Sequence, residues 1–212
     1  IPKGAVTITP ASASTGNTVT LTGSSFPPAT TASAMTIGGV SAMPTGGILT
    51  DAAGAFTALI EVPAATAGGS LSPGTQIISA TVGEIVGSTT SFSTPNPTVS
   101  VSPASASVEE TITVTGIGFD SLATVTVLKI GTASALPSPA PRATRNGDIN
   151  TEVLVPLLNP GSYTVTMTSG TSGNFSASTT FTATAAKVVA ASTADNTETV
   201  FADVIANDDS LV

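Results

Sequence analysis

The chain has no cysteine and no histidine. Disulfides and zinc sites are therefore excluded, and a Ser–His–Asp triad lacks its base. Tryptophan is also absent, and Tyr163 is the single tyrosine. A sugar-binding surface built on stacked aromatic rings has little to draw on. Five basic residues stand against thirteen acidic ones, for a formal net charge of -8. Nucleic-acid binding requires a basic footprint, so no nucleic-acid partner is expected. An anionic membrane surface would repel the chain as well. No apolar run reaches the roughly 18 residues of a membrane span, so no membrane insertion is expected. Charged residues of both signs make up only 8% of the chain, while 41% of residues are hydrophobic. That combination is the reverse of the composition of disordered chains.

What is present is Thr, Ser, Val, Ile, 20 glycines and 15 prolines. β-branched residues suit a pleated surface and Gly and Pro punctuate it, so the composition points to an all-β chain. The sequence also repeats itself. Thr9–Phe26 reads TPASASTGNTVTLTGSSF, and Ser102–Phe119 reads SPASASVEETITVTGIGF. Pro10 pairs with Pro103, Val19 with Ile112, Gly23 with Gly116 and Phe26 with Phe119, each 93 positions apart. A doubled unit of about this length is large enough for its own core.

Alternation predicts strands over 5–9, 18–22, 34–37, 56–62, 75–82 and 88–92 in the first unit. Gly23 is expected to mark a bend or bulge, with Phe26 turning into the core behind it. Residues 83–87 are expected to form a hairpin connection. Pro95-Asn96-Pro97 is a short, semi-rigid boundary. The order then recurs: Thr98–Ser102 and Thr111–Thr115 as strands, Asn146-Gly147-Asp148 as the turn matching Asp51–Gly54, Val155-Pro156 matching Val62-Pro63, and Pro160-Gly161 matching Pro73-Gly74. Short strands separated by turn signals every eight to twelve residues suit antiparallel sandwiches.

These residues carry a resemblance. Pro-x-Ser, Val-Thr-Leu-Thr-Gly-x-x-Phe, a Gly-x-Phe turn, Val-Pro and Pro-Gly-Ser-Tyr-Thr-Val together resemble the IPT/TIG-type immunoglobulin-like repeat over residues 4 to 184. The resemblance implies two tandem immunoglobulin-like β-sandwiches, 1–95 and 96–184, and an extracellular or cell-surface location. Such repeats occur in surface-layer, filament and adhesive proteins. Residues 185–212 depart from the pattern as a C-terminal arm, a short helix or the start of a further module. Val200, Phe201, Val204 and Ile205 lie at helical spacing there, and the chain ends on apolar Leu211-Val212. It opens on Ile1 rather than Met, as a mature secreted product or a fragment would.

Few side chains could carry chemistry. Asp148 with Asn150, and Asp208 with Asp209, offer the oxygen ligands that calcium uses, though neither pair follows a calcium-loop pattern. Turn chemistry is the alternative for both. No other cofactor is expected. Adjacent Glu109 and Glu110 would face opposite sides of a strand and so form no acid–base pair. Some surface immunoglobulin-like domains carry a Lys–Asn cross-link, and Lys129, in the run 125–130, is the body lysine that could point inward. A solvent-facing lysine is the alternative. Asn174-Phe175-Ser176 is a glycosylation sequon.

The expected role is structural rather than enzymatic. The chain would be a subunit or rod segment of a surface layer or filament. Its partners would be copies of itself or neighbouring surface proteins. Thinly charged sheet edges and the terminal arm, through Val200, Phe201, Val204, Ile205 and Leu211, would supply the contacts. An adhesin or carbohydrate-binding module is the alternative.

Overall fold

The alternating segments fold as strands. The computed structural model describes residues 3–64, 71–170 and 175–186, and among these the regular structure is entirely β. The first unit contains β1 (Ala5–Thr9), β2 (Thr18–Ser24), β3 (Ala32–Ile37), β4 (Val40–Ser41), β5 (Phe56–Glu61), β6 (Gly74–Val82) and β7 (Ile85–Thr94). One sheet runs β1-β2-β5 and the other β4-β3-β6-β7, all antiparallel. Side chains from both sheets meet in one core: Val6 and Ile8, Val19 and Leu21, and Ile60 face Met35, Ile37, Ile78, Val82 and Phe92. In β1 the burial alternates strictly, with the valine and isoleucine inside and the threonines outside. That alternation is what fixes the register.

The second unit repeats this plan with β8 (Thr98–Ser102), β9 (Ser105–Ser107), β10 (Thr111–Ile117), β11 (Val125–Ile130), β12 (Ala133–Ser134), β13 (Ile149–Leu154), β14 (Gly161–Ser169) and β15 (Phe175–Thr184). Its sheets run β13-β10-β8 and β12-β11-β14-β15-β9. A separate core forms around Ile112, Val114, Phe119, Leu128, Ile130, Val165, Met167 and Phe181. In each unit the first strand leaves its sheet at a proline, Pro10 or Pro103, which has no N–H to continue the ladder. The chain then joins the last strand of the facing sheet in parallel. In the first unit Ser93 N–H donates to the Ala11 carbonyl and Ala13 N–H to the Ser93 carbonyl. In the second, β9 pairs with β15.

The backbone confirms the 93-residue offset. Positions with positive φ coincide in the two units: Gly16 with Glu109, Ser25 with Gly118, Ala29 with Leu122, Gly38 with Gly131 and Gly54 with Gly147. Gly54 and Gly147 do the same local work. Each carbonyl accepts the amide of the core phenylalanine, Phe26 or Phe119, at 3.1 and 3.0 Å. The turn above is held differently. The Asp51 carboxyl accepts the Ala53 and Ala55 amides, whereas the Thr144 hydroxyl accepts the Asp148 amide.

The structure alters three local expectations. Gly23 makes no bend, since β2 keeps regular register through it, opposite Val6 and Phe56. Its role is space: a Cβ there would run into the Phe56 ring. Gly116 provides the same room in the second unit, but Phe119 fills it, because position 149 is isoleucine rather than phenylalanine. Secondly, the β6–β7 connection is shorter than 83–87, with Val82 already paired to Ile85 across Gly83-Glu84. Thirdly, Glu109 and Glu110 lie in the turn before β10, not in a strand. The Glu110 carboxylate reaches back to accept the Ser107 amide at 2.8 Å.

Candidate functional site

Among the described residues, the most enclosed polar contact between distant parts of the chain lies where the two sandwiches meet. Thr15 sits in the turn before β2, and Asp120 and Ser121 follow the core residue Phe119. The Thr15 hydroxyl donates to a carboxyl oxygen of Asp120 at 2.9 Å. It also accepts the backbone N–H of Ser121 at 2.8 Å. All three residues are buried, at 1%, 1% and 2% exposure. One hydroxyl thus serves as donor and acceptor at once, satisfying groups that would otherwise be costly to bury. Gly16, with φ of 78°, lets the first sandwich approach closely. A Cβ on it would collide with the Ser121 side chain and crowd the Arg145 carbonyl. The connector is packed into the same joint, since Gly118 faces the backbone of Asn96 and Pro97.

The joint was not visible in the sequence. Its partners lie 105 positions apart, and single threonines and aspartates are common in turns. A usable signal was the disagreement between copies, because the repeat puts Val108 where Thr15 stands, and Pro27-Pro28 where Asp120-Ser121 stand. Thr15→Val keeps the shape but removes the hydroxyl. It should lower the chain's unfolding free energy by about 2 kcal/mol, because a buried amide and a carboxyl oxygen each lose a partner. Urea denaturation of the two proteins measures this.

A second feature lies at the far end of the second sandwich. Val108, Leu157, Leu158, Asn159, Pro160, Thr184, Ala185 and Ala186 line a cavity of about 350 Å³. Leu157 is 81% exposed.

Of the residues singled out from sequence, Asp148, Asn150 and Lys129 lie among the described residues. Asp148 and Asn150 are both exposed at the start of β13. Among the described residues no group of three acidic side chains is gathered as a metal site. Calcium takes six to eight oxygens, of which this pair could supply only a part. Asp208, Asp209, Asn174, and the arm residues Val200, Phe201, Val204, Ile205 and Leu211 lie outside the described residues. Lys129 is exposed, because the alternation of β11 puts Leu128 and Ile130 inside instead. An internal Lys–Asn bond through Lys129 would require that side chain to be buried. A mass measurement of the peptide carrying Lys129 is accordingly expected to show an unmodified lysine, without the loss of one ammonia. Tyr163 is half-buried, and its hydroxyl donates to the Asn159 carbonyl at 2.8 Å. Among the described residues no helix is long and apolar enough to cross a membrane.

Comparison with known proteins bears on the second sandwich directly. The sequence model of the IPT/TIG domain family matches residues 97–183. The second sandwich is an IPT/TIG domain. The first shares with this IPT/TIG domain its three-stranded sheet, its strand order and its left-handed backbone positions. No curated protein matches the chain. Solved structures similar to it include the Yersinia pseudotuberculosis adhesin InvE, at 15% identity and a TM-score of 0.37, with 85% of this chain and 58% of that one covered. Another is SGBP-B of a xyloglucan utilization locus in Bacteroides uniformis, at 16% identity and a TM-score of 0.33, with coverages of 86% and 49%. A third is the Escherichia coli adhesin FdeC, at 17% identity and a TM-score of 0.34, with coverages of 87% and 64%. The chain spans less than two thirds of the length of each.

Proposed function

We propose that this chain is a non-catalytic rod segment of a cell-surface protein, and that it self-associates within a layer or filament. The observation that carries the rod-segment part of this reading is the buried joint between Thr15, Asp120 and Ser121; the self-association part rests on the thinly charged composition, which leaves sheet edges little protected. Two sandwiches joined by a flexible tether would not need a threonine hydroxyl satisfied on both sides in a buried contact. Domains that must hold a fixed angle under load would. The connector Pro95-Asn96-Pro97 agrees, because two prolines in three residues restrict its freedom. Low charge and threonine-rich outer faces suit an extracellular setting.

An adhesin or carbohydrate-binding module is the competing reading. Carbohydrate sites usually present exposed tryptophan or tyrosine platforms, and this chain has no tryptophan and one tyrosine, the half-buried Tyr163. The structural reading is therefore preferred.

Sedimentation of the full chain over a wide concentration range, with negative-stain imaging, tests the proposal. Elongated monomers of constant shape that associate as concentration rises are the expected result. Monomers at every concentration would overturn the self-association. A spread of interdomain angles in the images would overturn the fixed rod.

A further inference from the structure

A sheet edge whose backbone groups are unpaired can add a further strand. Most edges of the two sandwiches are closed or too short to do so. β4 and β12 are two residues long. The chain leaving β1 or β8 pairs with one end of β7 or β15, and β1 and β8 themselves pack beside those strands. Two long edges remain open among the described residues: β5 in the first three-stranded sheet and β13 in the second. Each is six residues long, keeps regular register with its one neighbour, and contains no lysine, proline or bulge.

Hydrogen bonds at the ends of these strands fix which residues face the open side. The Val62 amide donates to the Asn17 carbonyl and the Val62 carbonyl accepts the Gly16 amide, so Val62 is turned toward β2. Antiparallel alternation turns Ile60 and Ala58 the same way, and leaves the N–H and C=O groups of Thr57, Leu59 and Glu61 toward the open side. The side chains of these three lie exposed on the outer face, Leu59 at 67%. Val155 sets the same phase in β13, through the Glu110 carbonyl and the Glu109 amide. Asn150, Glu152 and Leu154 are the open positions there. At the 93-residue offset, leucine and glutamate have changed places: Leu59 corresponds to Glu152, and Glu61 to Leu154.

That exchange decides which edge can pair with itself. Two β5 strands related by a two-fold axis at Leu59 would set Leu59 opposite the second copy's Leu59, and Thr57 opposite its Glu61. All three open positions then exchange both backbone bonds. The two leucines cover each other, and each carboxylate meets a threonine. The same arrangement on β13 sets Glu152 opposite Glu152, and like charges directly opposite destabilise a strand pair. Pairing β5 with β13, leucine to leucine, sets Glu61 against Glu152 for the same penalty. We propose that β5 pairs, antiparallel, with β5 of a second copy in the register centred on Leu59. The inference rests on the self-association reading and specifies its route, through one sheet edge of the first sandwich. The contact is isologous, so it closes at two copies. It joins segments side by side, as a lateral link within a layer, and does not extend a filament.

Leu59 points outward, so it can be changed without disturbing the core. Leu59→Glu gives β5 the residue that β13 carries, and should weaken dimerisation of the full chain roughly tenfold in sedimentation. Leu154→Glu, at a leucine of similar exposure on the other edge, should leave dimerisation unchanged. The chain has no cysteine, so introduced thiols report the register without background. Leu59→Cys should form a symmetric disulfide under mild oxidation, because paired Cα atoms there would lie about 5.5 Å apart. Thr57→Cys and Glu61→Cys should each fail to link to themselves, and should form the mixed dimer when combined. Self-linking of Thr57→Cys or Glu61→Cys as readily as Leu59→Cys would overturn the proposal. So would association that Leu59→Glu leaves unchanged, with no disulfide at Leu59→Cys. Self-assembly would then stand, but elsewhere on the surface. A wild-type chain that is monomeric at every concentration would overturn both readings and leave the β5 edge to a strand from another protein.

Discussion

Phe119→Ala is expected to lower the stability of the second sandwich by about 3–5 kcal/mol, the range for truncating a buried phenylalanine. Phe119 is fully buried. Its ring fills the slot left by Gly116, where a Cβ would come within 2.7 Å of the ring and 3.1 Å of the Met167 sulfur. The ring and the glycine are interlocked, so the two sites should couple. Gly116→Ala alone should cost about 1–3 kcal/mol through overpacking. In the Phe119→Ala background the added methyl enters vacated space. The double variant should then be about 1–2 kcal/mol more stable than the sum of the single effects implies. Tyr163 is the only tyrosine and there is no tryptophan, so its fluorescence during urea unfolding follows the second sandwich alone. Strict additivity would show that the ring and the glycine do not share the slot.

Gly147→Ala should also be damaging, by about 2–5 kcal/mol, for a different reason. Gly147 has φ of 81°, which an L side chain adopts at a cost of about 1–2 kcal/mol. A Cβ there would also strike the backbone carbonyl of Phe119. That carbonyl cannot swing aside as a side chain would, and the adjoining Phe119 amide is bonded to Gly147 itself. Shifting it adds strain of about 1–3 kcal/mol. Gly47 provides the comparison. Its φ is 69°, with no atom within 4 Å of a Cβ. Gly47→Ala should therefore cost only the conformational part, about 1–2 kcal/mol. Equal losses at the two glycines would show that backbone conformation alone decides the effect.

Much of this fold is written in short-range patterns. Threonine–valine alternation located β1, β2, β8 and β10, and the 93-residue repeat gave the order of what followed. Both signals are local, or compare local stretches, and a two-residue period is hard to mistake where one face is buried. The very short β4, β9 and β12 escaped because two or three residues cannot display a period. The role of Gly23 was misjudged because glycine in a strand signals either a bend or a close approach. Only tertiary packing reveals that Phe56 lies over it. The two copies also reassign their aromatic rings: Phe56 covers Gly23, Phe119 covers Gly116, and Phe26 instead lies over Gly4 and Gly87. A match between Phe26 and Phe119 in sequence is therefore not a match in packing.

The candidate site was less legible. Attention to carboxylates selected Asp148, which is exposed, and passed over Asp120, which is buried. An aspartate after a core phenylalanine looks like ordinary turn chemistry until its partner 105 residues away is known. Lys129 shows the opposite case. Its strand was predicted correctly, and the phase of that strand, set by Leu128 and Ile130, puts the lysine outside.

The central claim is that the two sandwiches are held together through a buried polar joint. The backbone amide of Ser121 reports on it most directly, because its acceptor is the Thr15 hydroxyl of the other sandwich. Native-state hydrogen exchange, resolved to single amides, is the measurement. The account predicts that the Ser121 amide is protected to nearly the level of the β11 and β14 core amides, and that Thr15→Val removes the protection while leaving those strands unchanged. A Ser121 amide that exchanges in the intact chain as fast as an exposed loop, with β11 and β14 still protected, would contradict it.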